Sequence, residues 1–79
     1  MKKVLSALAS GEKGVIDRLE TSEEASLKFM ELGLFPGEPV VFLRQAPLGG
    51  PIEIELMGYR LCIRKEDGDR IFVECGPNT

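Results

Sequence analysis

Polar and apolar residues alternate most regularly at Ile52-Glu53-Ile54-Glu55-Leu56, where a period of two puts three aliphatic side chains on one face and two glutamates on the other. That is a half-buried strand. Gly58-Tyr59 reads as a two-residue hairpin loop with glycine first. It sets Met57 against Arg60, Leu56 against Leu61, Ile54 against Ile63 and Glu53 against Arg64, so apolar meets apolar on one face and opposite charges meet on the other. Val15 to Leu19, Val40 to Leu43 and Ile71 to Cys75 are further runs rich in β-branched and aromatic residues, bounded by turn signals. Between the first two lies a helical pattern. Ala25, Phe29 and Leu32 recur at i, i+4, i+7, Glu24, Lys28 and Glu31 form a solvated side, and Leu27 and Met30 lie off the apolar face. Thr21 with Glu24 reads as a capping box at its start. Gly33 is placed to close it in a left-handed conformation. Phe35-Pro36-Gly37 is a turn, Lys65 to Asp69 is a charged turn, and 76–79 should fray.

The elements add up to a mainly β chain with one inserted helix: about five antiparallel strands closing a small, strongly bent barrel. Strands are expected near 13–19, 38–45, 51–57, 60–65 and 70–75, with the helix near 22–32. The expected core is Val15, Phe29, Leu32, Phe42, Ile54, Leu56, Leu61, Ile63, Ile71 and Val73. Seventy-nine residues make a single domain, 1–79, without room for a second core.

Ten basic against 13 acidic residues and a pI near 4.9 argue against a phosphate-binding surface, so nucleic acid is not an expected partner. No apolar run is long enough to span a bilayer. Met1 to Ser10 has a basic start and an apolar stretch, but Ser6 interrupts it and it is short for a signal peptide. Two cysteines are too few to staple a small fold, which points to a reduced cytoplasmic setting.

The search for chemistry finds little. Histidine is absent, which removes the commonest metal ligand and the usual general base. By strand alternation Cys62 shares a face with Arg60 and Arg64, whereas Cys75 shares one with Ile71 and Val73. The two thiols therefore form no metal site and no disulfide. Glu23-Glu24 and the Glu53/Glu55 pair lack the apolar surroundings that separate two carboxylate pKa values. Gly49-Gly50 lacks the Lys-Ser/Thr of a phosphate loop. Arg44, Arg60, Arg64, Lys65 and Arg70 read as a solvated face beside neighbouring acids. No catalytic residue, cofactor site or metal site is expected.

What remains is the stretch from Leu32 to Pro51, which holds four of the nine glycines and four of the five prolines. Gly33, Pro36, Gly37 and, further on, Gly58 are structural turn positions. Ala46-Pro47-Leu48-Gly49-Gly50-Pro51 is a stiff loop with an apolar tip. Leu48 either projects as an anchor for a partner or folds back to plug an open end of the barrel. The expected partner-binding set is Leu34, Phe35, Pro47, Leu48, Gly49 and Gly50, with Leu27 or Met30 flanking it.

Leu32-Gly33-Leu34-Phe35-Pro36-Gly37, Arg44 to Ile52, Leu61-Cys62-Ile63-Arg64, Ile71-Phe72-Val73 and the opening Leu5…Leu8…Gly11-Glu12-Lys13-Gly14-Val15-Ile16 together resemble the FeoA family over nearly the whole chain. Those are small cytosolic accessory proteins of bacterial ferrous iron transport. The resemblance implies an SH3-like barrel with a helix after its first strand. It also implies a non-catalytic role beside FeoB, a membrane permease with a GTPase domain. On that reading the chain is a monomer in isolation, reaches the membrane only through this partner, and shares transition metal ion binding at the level of the family. The same domain resembles the C-terminal part of iron-dependent transcription regulators, which offers metal-responsive regulation as a second role. Two positions depart from the pattern. Gly68 replaces a more usual apolar residue and implies a looser turn, and Cys62 replaces a small or aliphatic one.

Overall fold

The computed structural model of the chain describes residues 1–76. The elements run β1 (Lys2–Val4), a 3-10 turn (Leu5–Ala7), β2 (Lys13–Leu19), α1 (Glu23–Glu31), β3 (Pro39–Gln45), β4 (Ile52–Leu56), β5 (Tyr59–Ile63), α2 (Lys65–Gly68) and β6 (Ile71–Glu74). Six antiparallel strands form one sheet in the order β1-β6-β2-β3-β4-β5. Every strand expected from the sequence is present within a residue or two, and the fold is the small antiparallel β structure with an inserted helix. Of the fraying expected for 76–79, residues 77–79 lie outside the described residues.

Two register shifts bend the sheet around its core. One falls in β2 between Ile16 and Arg18 against β6, the other in β3 between Phe42 and Arg44 against β4. An extra residue on one strand of a pair sharpens the local twist. The buried interior comprises Leu5, Leu8, Ile16, Leu34, Val40, Phe42, Ile52, Ile54, Leu56, Ile63, Ile71 and Val73.

Several expectations are corrected. Val15 is exposed, and Gly14 and Ile16 point inward instead. Gly14 can lie there because a Cβ would already touch the Val73 side chain at 3.1 Å. Leu32 is exposed, while Phe29 and Leu61 only partly enter the core. Helix α1 starts a residue later than its capping box implied. Ser22 is the N-cap, accepting from the Ala25 N–H at 3.1 Å, and Thr21 Oγ1 pairs with Ser26 Oγ at 2.6 Å. The β4–β5 loop is Met57-Gly58, both left-handed (φ 50° and 80°) as a type I′ turn requires. Leu56 consequently faces Tyr59, Ile54 faces Leu61 and Glu53 faces Cys62. The ion pair on this ribbon is the diagonal Arg60–Glu53 at 3.8 Å rather than Glu53–Arg64.

The first eight residues belong to the barrel. β1 pairs with β6, and Leu5 and Leu8 are buried. Residues 65–68 form a short helix, and Gly68 is closely packed rather than loose. A Cβ there would come within 2.9 Å of Ile52 Cδ1 and 3.4 Å of Ser6 Cβ. Ser6 Oγ and Lys65 Nζ both bond the Asp69 carboxylate, tying α2 to the N-terminal turn.

Replacing Ile16 with Ala should cost about 2–5 kcal/mol in denaturant unfolding, because it opens a cavity. Val15→Thr should stay within about 0.5 kcal/mol, as for an exposed site. The reverse ranking would restore the opposite facing of β2.

Two carboxyls lie below their ordinary range in the folded chain. Glu12 does so through the Ala9 N–H and Lys3, and Asp69 through Ser6 and Lys65. A folded-state pKa below the unfolded value means stability that is present above the usual carboxylate range and lost as pH falls through the folded values. The fold should therefore weaken in acid, and less steeply in the Glu12→Gln, Asp69→Asn double variant, as read by thermal melts across pH.

Candidate interaction surface

The connection between β3 and β4 is built to hold one conformation. Pairing runs up to Gln45↔Ile52, and Ala46 N–H then donates to the Pro51 carbonyl at 2.9 Å across the loop mouth. Gly50 N–H donates to the Ala46 carbonyl at 3.2 Å, and Gln45 Nε2 donates to the Gly50 carbonyl at 3.2 Å. A Cβ on Gly50 would lie 2.8 Å from Ala46 Cβ, so glycine is needed for the chain to close this tightly. At the apex Leu48 (φ 62°) and Gly49 (φ 71°) are both left-handed. For leucine that conformation costs roughly 1–2 kcal/mol. Its relative exposure is 103%. Leu48 therefore projects and plugs nothing, with Pro47 and Gly49 exposed beside it.

The loop does not gather the whole expected set. Leu34 is fully buried, so it belongs to the core and is not available to a partner; Phe35 is half-buried. Both precede β3, whereas Leu48 follows it. A strand of this length sets the two corners about 20 Å apart. Leu27 and Met30 are exposed on the outer side of α1. Gly33 (φ 104°) and Gly37 (φ 96°) take the left-handed turn conformations expected of them. Gly37 also donates to the Ile16 carbonyl at 2.8 Å, fastening the corner to β2.

A second concave surface is not foreseen in the sequence, because its apolar residues Phe29 and Leu32 read as core and its charged residues Glu24, Lys28 and Arg64 as solvated faces. Between α1 and the β5–α2 corner lies a groove of about 400 Å³, lined by Ser22, Glu24, Ala25, Lys28, Phe29 and Leu32 on the helix and by Arg64 and Asp67 opposite. Its signal in the sequence was the i, i+4, i+7 face itself, which is apolar enough for a half-open seam as well as for a core.

Cys62 is exposed on β5, and Cys75 is half-buried against the core. Burial, then the Glu12 carboxylate, pushes the Cys75 thiol above its ordinary value, so it is protonated at neutral pH. Among the described residues, no group of three or more Cys, Asp or Glu side chains converges on a point where a metal ion would fit. Among the same residues no helix is long and apolar enough to cross a membrane.

Comparison with known proteins places this geometry among relatives. The family model for the FeoA domain matches residues 3–75. An Fe(2+) transport protein A/Fe(2+) transporter FeoB fusion protein of Porphyromonas gingivalis is 33% identical over 70 residues, or 89% of this chain. The chain spans only 8% of that relative's length. The FeoA protein of Chlorobium tepidum superposes with a TM-score of 0.89 at 30% identity, over 98% of this chain and 73% of that one. Zinc-complexed FeoA of Stenotrophomonas maltophilia, described as a prokaryotic SH3 domain protein, gives 0.75 at 24% identity over 94% and 89% of the two chains. A manganese-dependent transcriptional repressor gives 0.83 at 17% identity, over 95% of this chain and 42% of the repressor. The last two likenesses show the shared SH3-like fold alone.

Leu48→Asn should leave stability unchanged or raise it by up to about 1 kcal/mol, seen as an unmoved or higher melting temperature, since asparagine tolerates the left-handed region. A clear loss of stability would mean that the leucine side chain packs on the barrel.

Proposed function

This chain belongs to the FeoA family, and from that premise we propose that it is a non-catalytic adaptor of ferrous iron uptake that docks on the cytosolic part of an FeoB-type permease. The observation that carries the reading is the fusion protein of Porphyromonas gingivalis, in which a relative of this domain and an FeoB transporter form one polypeptide. Covalent linkage keeps two domains at high effective concentration, which is useful where they work in contact.

The loop from Ala46 to Pro51 supplies the docking element in this reading. Leu48 is its anchor, and Pro47, Gly49 and Gly50 hold the anchor in place. A rigid apolar tip binds at a reduced ordering cost, because little freedom is left to lose. A charged tip would serve a transient electrostatic encounter. An exposed leucine serves insertion into an apolar pocket, where burying its side chain contributes about 1.5–3 kcal/mol. The chain has no histidine to act as the usual general base, and in this reading its effect on the permease is exerted through contact. Its place is cytoplasmic, peripheral to the membrane through the permease, and monomeric before docking.

The likeness to the repressor favours a second reading, an SH3-like interaction domain in metal-responsive regulation. It accounts for the fold, which is all that a likeness at 17% identity carries.

Titration of the purified chain against the isolated cytosolic region of the permease tests the first reading. Leu48→Asp should weaken that complex by about 1–3 kcal/mol, with an unmoved melting temperature. A stably folded variant that binds as well as the parent removes Leu48 as the anchor. A parent chain that does not bind at all removes the adaptor reading.

A further inference from the structure

β5 is an open edge of the sheet, bonded only to β4. Its two-residue turn makes Leu56 and Tyr59 the first hydrogen-bonded pair, and such pairs alternate along an antiparallel ribbon. Tyr59, Leu61 and Ile63 thus bond to β4, while the N–H and C=O groups of Arg60 and Cys62 point away from it. Natural edges are blunted by charged side chains, a proline, a bulge, an inward charge or a covering helix. β5 carries the exposed Arg60 with Arg64 just beyond it, which discourages unselective pairing and favours an acidic strand. β5 has no proline, pairs with β4 without a register shift, and points no charge inward.

Helix α1 flanks this edge. At one end the Tyr59 hydroxyl donates to the Leu32 carbonyl, and at the other the groove separates Ala25 and Phe29 from Arg64 and Asp67. The groove itself is walled by the helix and by Arg64 and Asp67, just past the end of β5, so the unpaired edge of β5 runs into an apolar-sided cleft. An open edge leading into such a cleft can capture an extended peptide as an additional strand.

We propose that β5 and α1 form a strand-addition site for an extended segment of a partner protein that alternates acidic and apolar residues. The outward row of β5 is Arg60, Cys62 and Arg64. Both guanidiniums are largely in solvent, Arg60 reaching Glu53 only at 3.8 Å and Arg64 pairing with Asp67 at 3.2 Å. A strand laid alongside sets its own outward residues beside this row, where carboxylates are favoured. Lys28, on the helix wall, has no ion-pair partner among the described residues and adds to the positive side; Glu24 lies at the rim. The inward residues of the added strand meet half-buried Leu61 and the apolar helix face.

A second copy of this chain is disfavoured in the register that would use the full outward row. Two β5 strands paired antiparallel about Cys62 would set Arg60 against Arg64 twice, and like charges directly opposite are destabilising. The site is separate from the Leu48 loop and stands or falls without it.

The test is a titration of the purified chain with a short, end-blocked peptide alternating glutamate and valine, followed by NMR and amide hydrogen exchange. Shifts and slowed exchange should appear at Arg60 and Cys62. The combined Arg60→Glu and Arg64→Glu variant should bind about tenfold more weakly or worse, as lost charge complementarity predicts. A lysine–valine peptide should not bind, nor should the glutamate–valine peptide N-methylated at alternate residues. Cys62→Pro removes an N–H that faces the open edge and should abolish protection. Should that variant fail to fold, the charge variant and the methylated peptide still decide. No binding at millimolar peptide, equal binding of the methylated peptide, or protection confined to other strands would each overturn the site. So would self-association of the free chain through β5.

Discussion

The close approach of the backbone at Gly33 to the β4–β5 hairpin is the constraint on which the rest of the molecule depends. A Cβ there would lie 2.8 Å from Met57 Sδ and 3.1 Å from Leu56 Cδ1, and the residue is left-handed with φ 104°. The left-handed φ is the demand that selects glycine. The Leu56 methyl and the Met57 sulfur, the latter on an exposed and flexible side chain, close in on the space its missing Cβ leaves. Because the chain turns so tightly, Leu34 drops straight into the core, accepted by a hydrogen bond from its N–H to the Phe29 carbonyl at 2.9 Å. That single buried leucine holds the C-terminal end of a helix none of whose own residues is fully buried. The same turn fixes where β3 begins, and β3 carries the second bulge and delivers the Leu48 loop at its far end. A helix, a strand and the Leu48 loop are thus positioned from one point.

Much of this was legible because strand periodicity is robust to one kind of error. The hairpin was placed with Gly58-Tyr59 at its turn, whereas Met57-Gly58 occupies it. That mistake slips the register by two residues, and a slip of two leaves every side chain on its own face. Ile54, Leu56 and Ile63 were therefore assigned correctly to the core from a wrong pairing. β2 shows the opposite case. Val15 and Ile16 are adjacent and equally β-branched, so composition does not choose between the two phases. Gly14, the residue small enough to lie against Val73, chooses. Leu32 and Leu34 pose the same ambiguity on either side of Gly33, which the helix periodicity settled wrongly. β1 was invisible because three residues are too few to show a period.

The site was legible in part for a related reason. Proline and glycine announce a stiff loop, and a leucine among them announces an apolar tip. Whether that tip points in or out depends on the φ of Leu48, which neighbouring glycines permit but do not dictate. The groove beside β5 was hidden more deeply, since a helix that half covers a sheet edge has the same apolar face as one that buries it. The likeness to a repressor at 17% identity makes the corresponding point about function. A shared barrel says little about what either protein does, and the difference resides in surface features such as these.

The strain at Leu48 bears on how the loop would act. A left-handed leucine costs roughly 1–2 kcal/mol, comparable to a single good contact at an interface. If the loop adopted this conformation only on binding, that cost would be subtracted from every complex it formed. Instead the Ala46–Pro51 and Ala46–Gly50 bonds hold the conformation in the free chain, and the barrel absorbs the strain as slightly reduced stability. Binding then starts from a tip already in position. A loop under no functional demand would relax at little expense, by exchanging Leu48 for asparagine or glycine, residues that prefer this region of conformational space. The exposed leucine is thus a residue whose presence the folding of the loop does not explain, and the adaptor role proposed above accounts for it by contact with another surface.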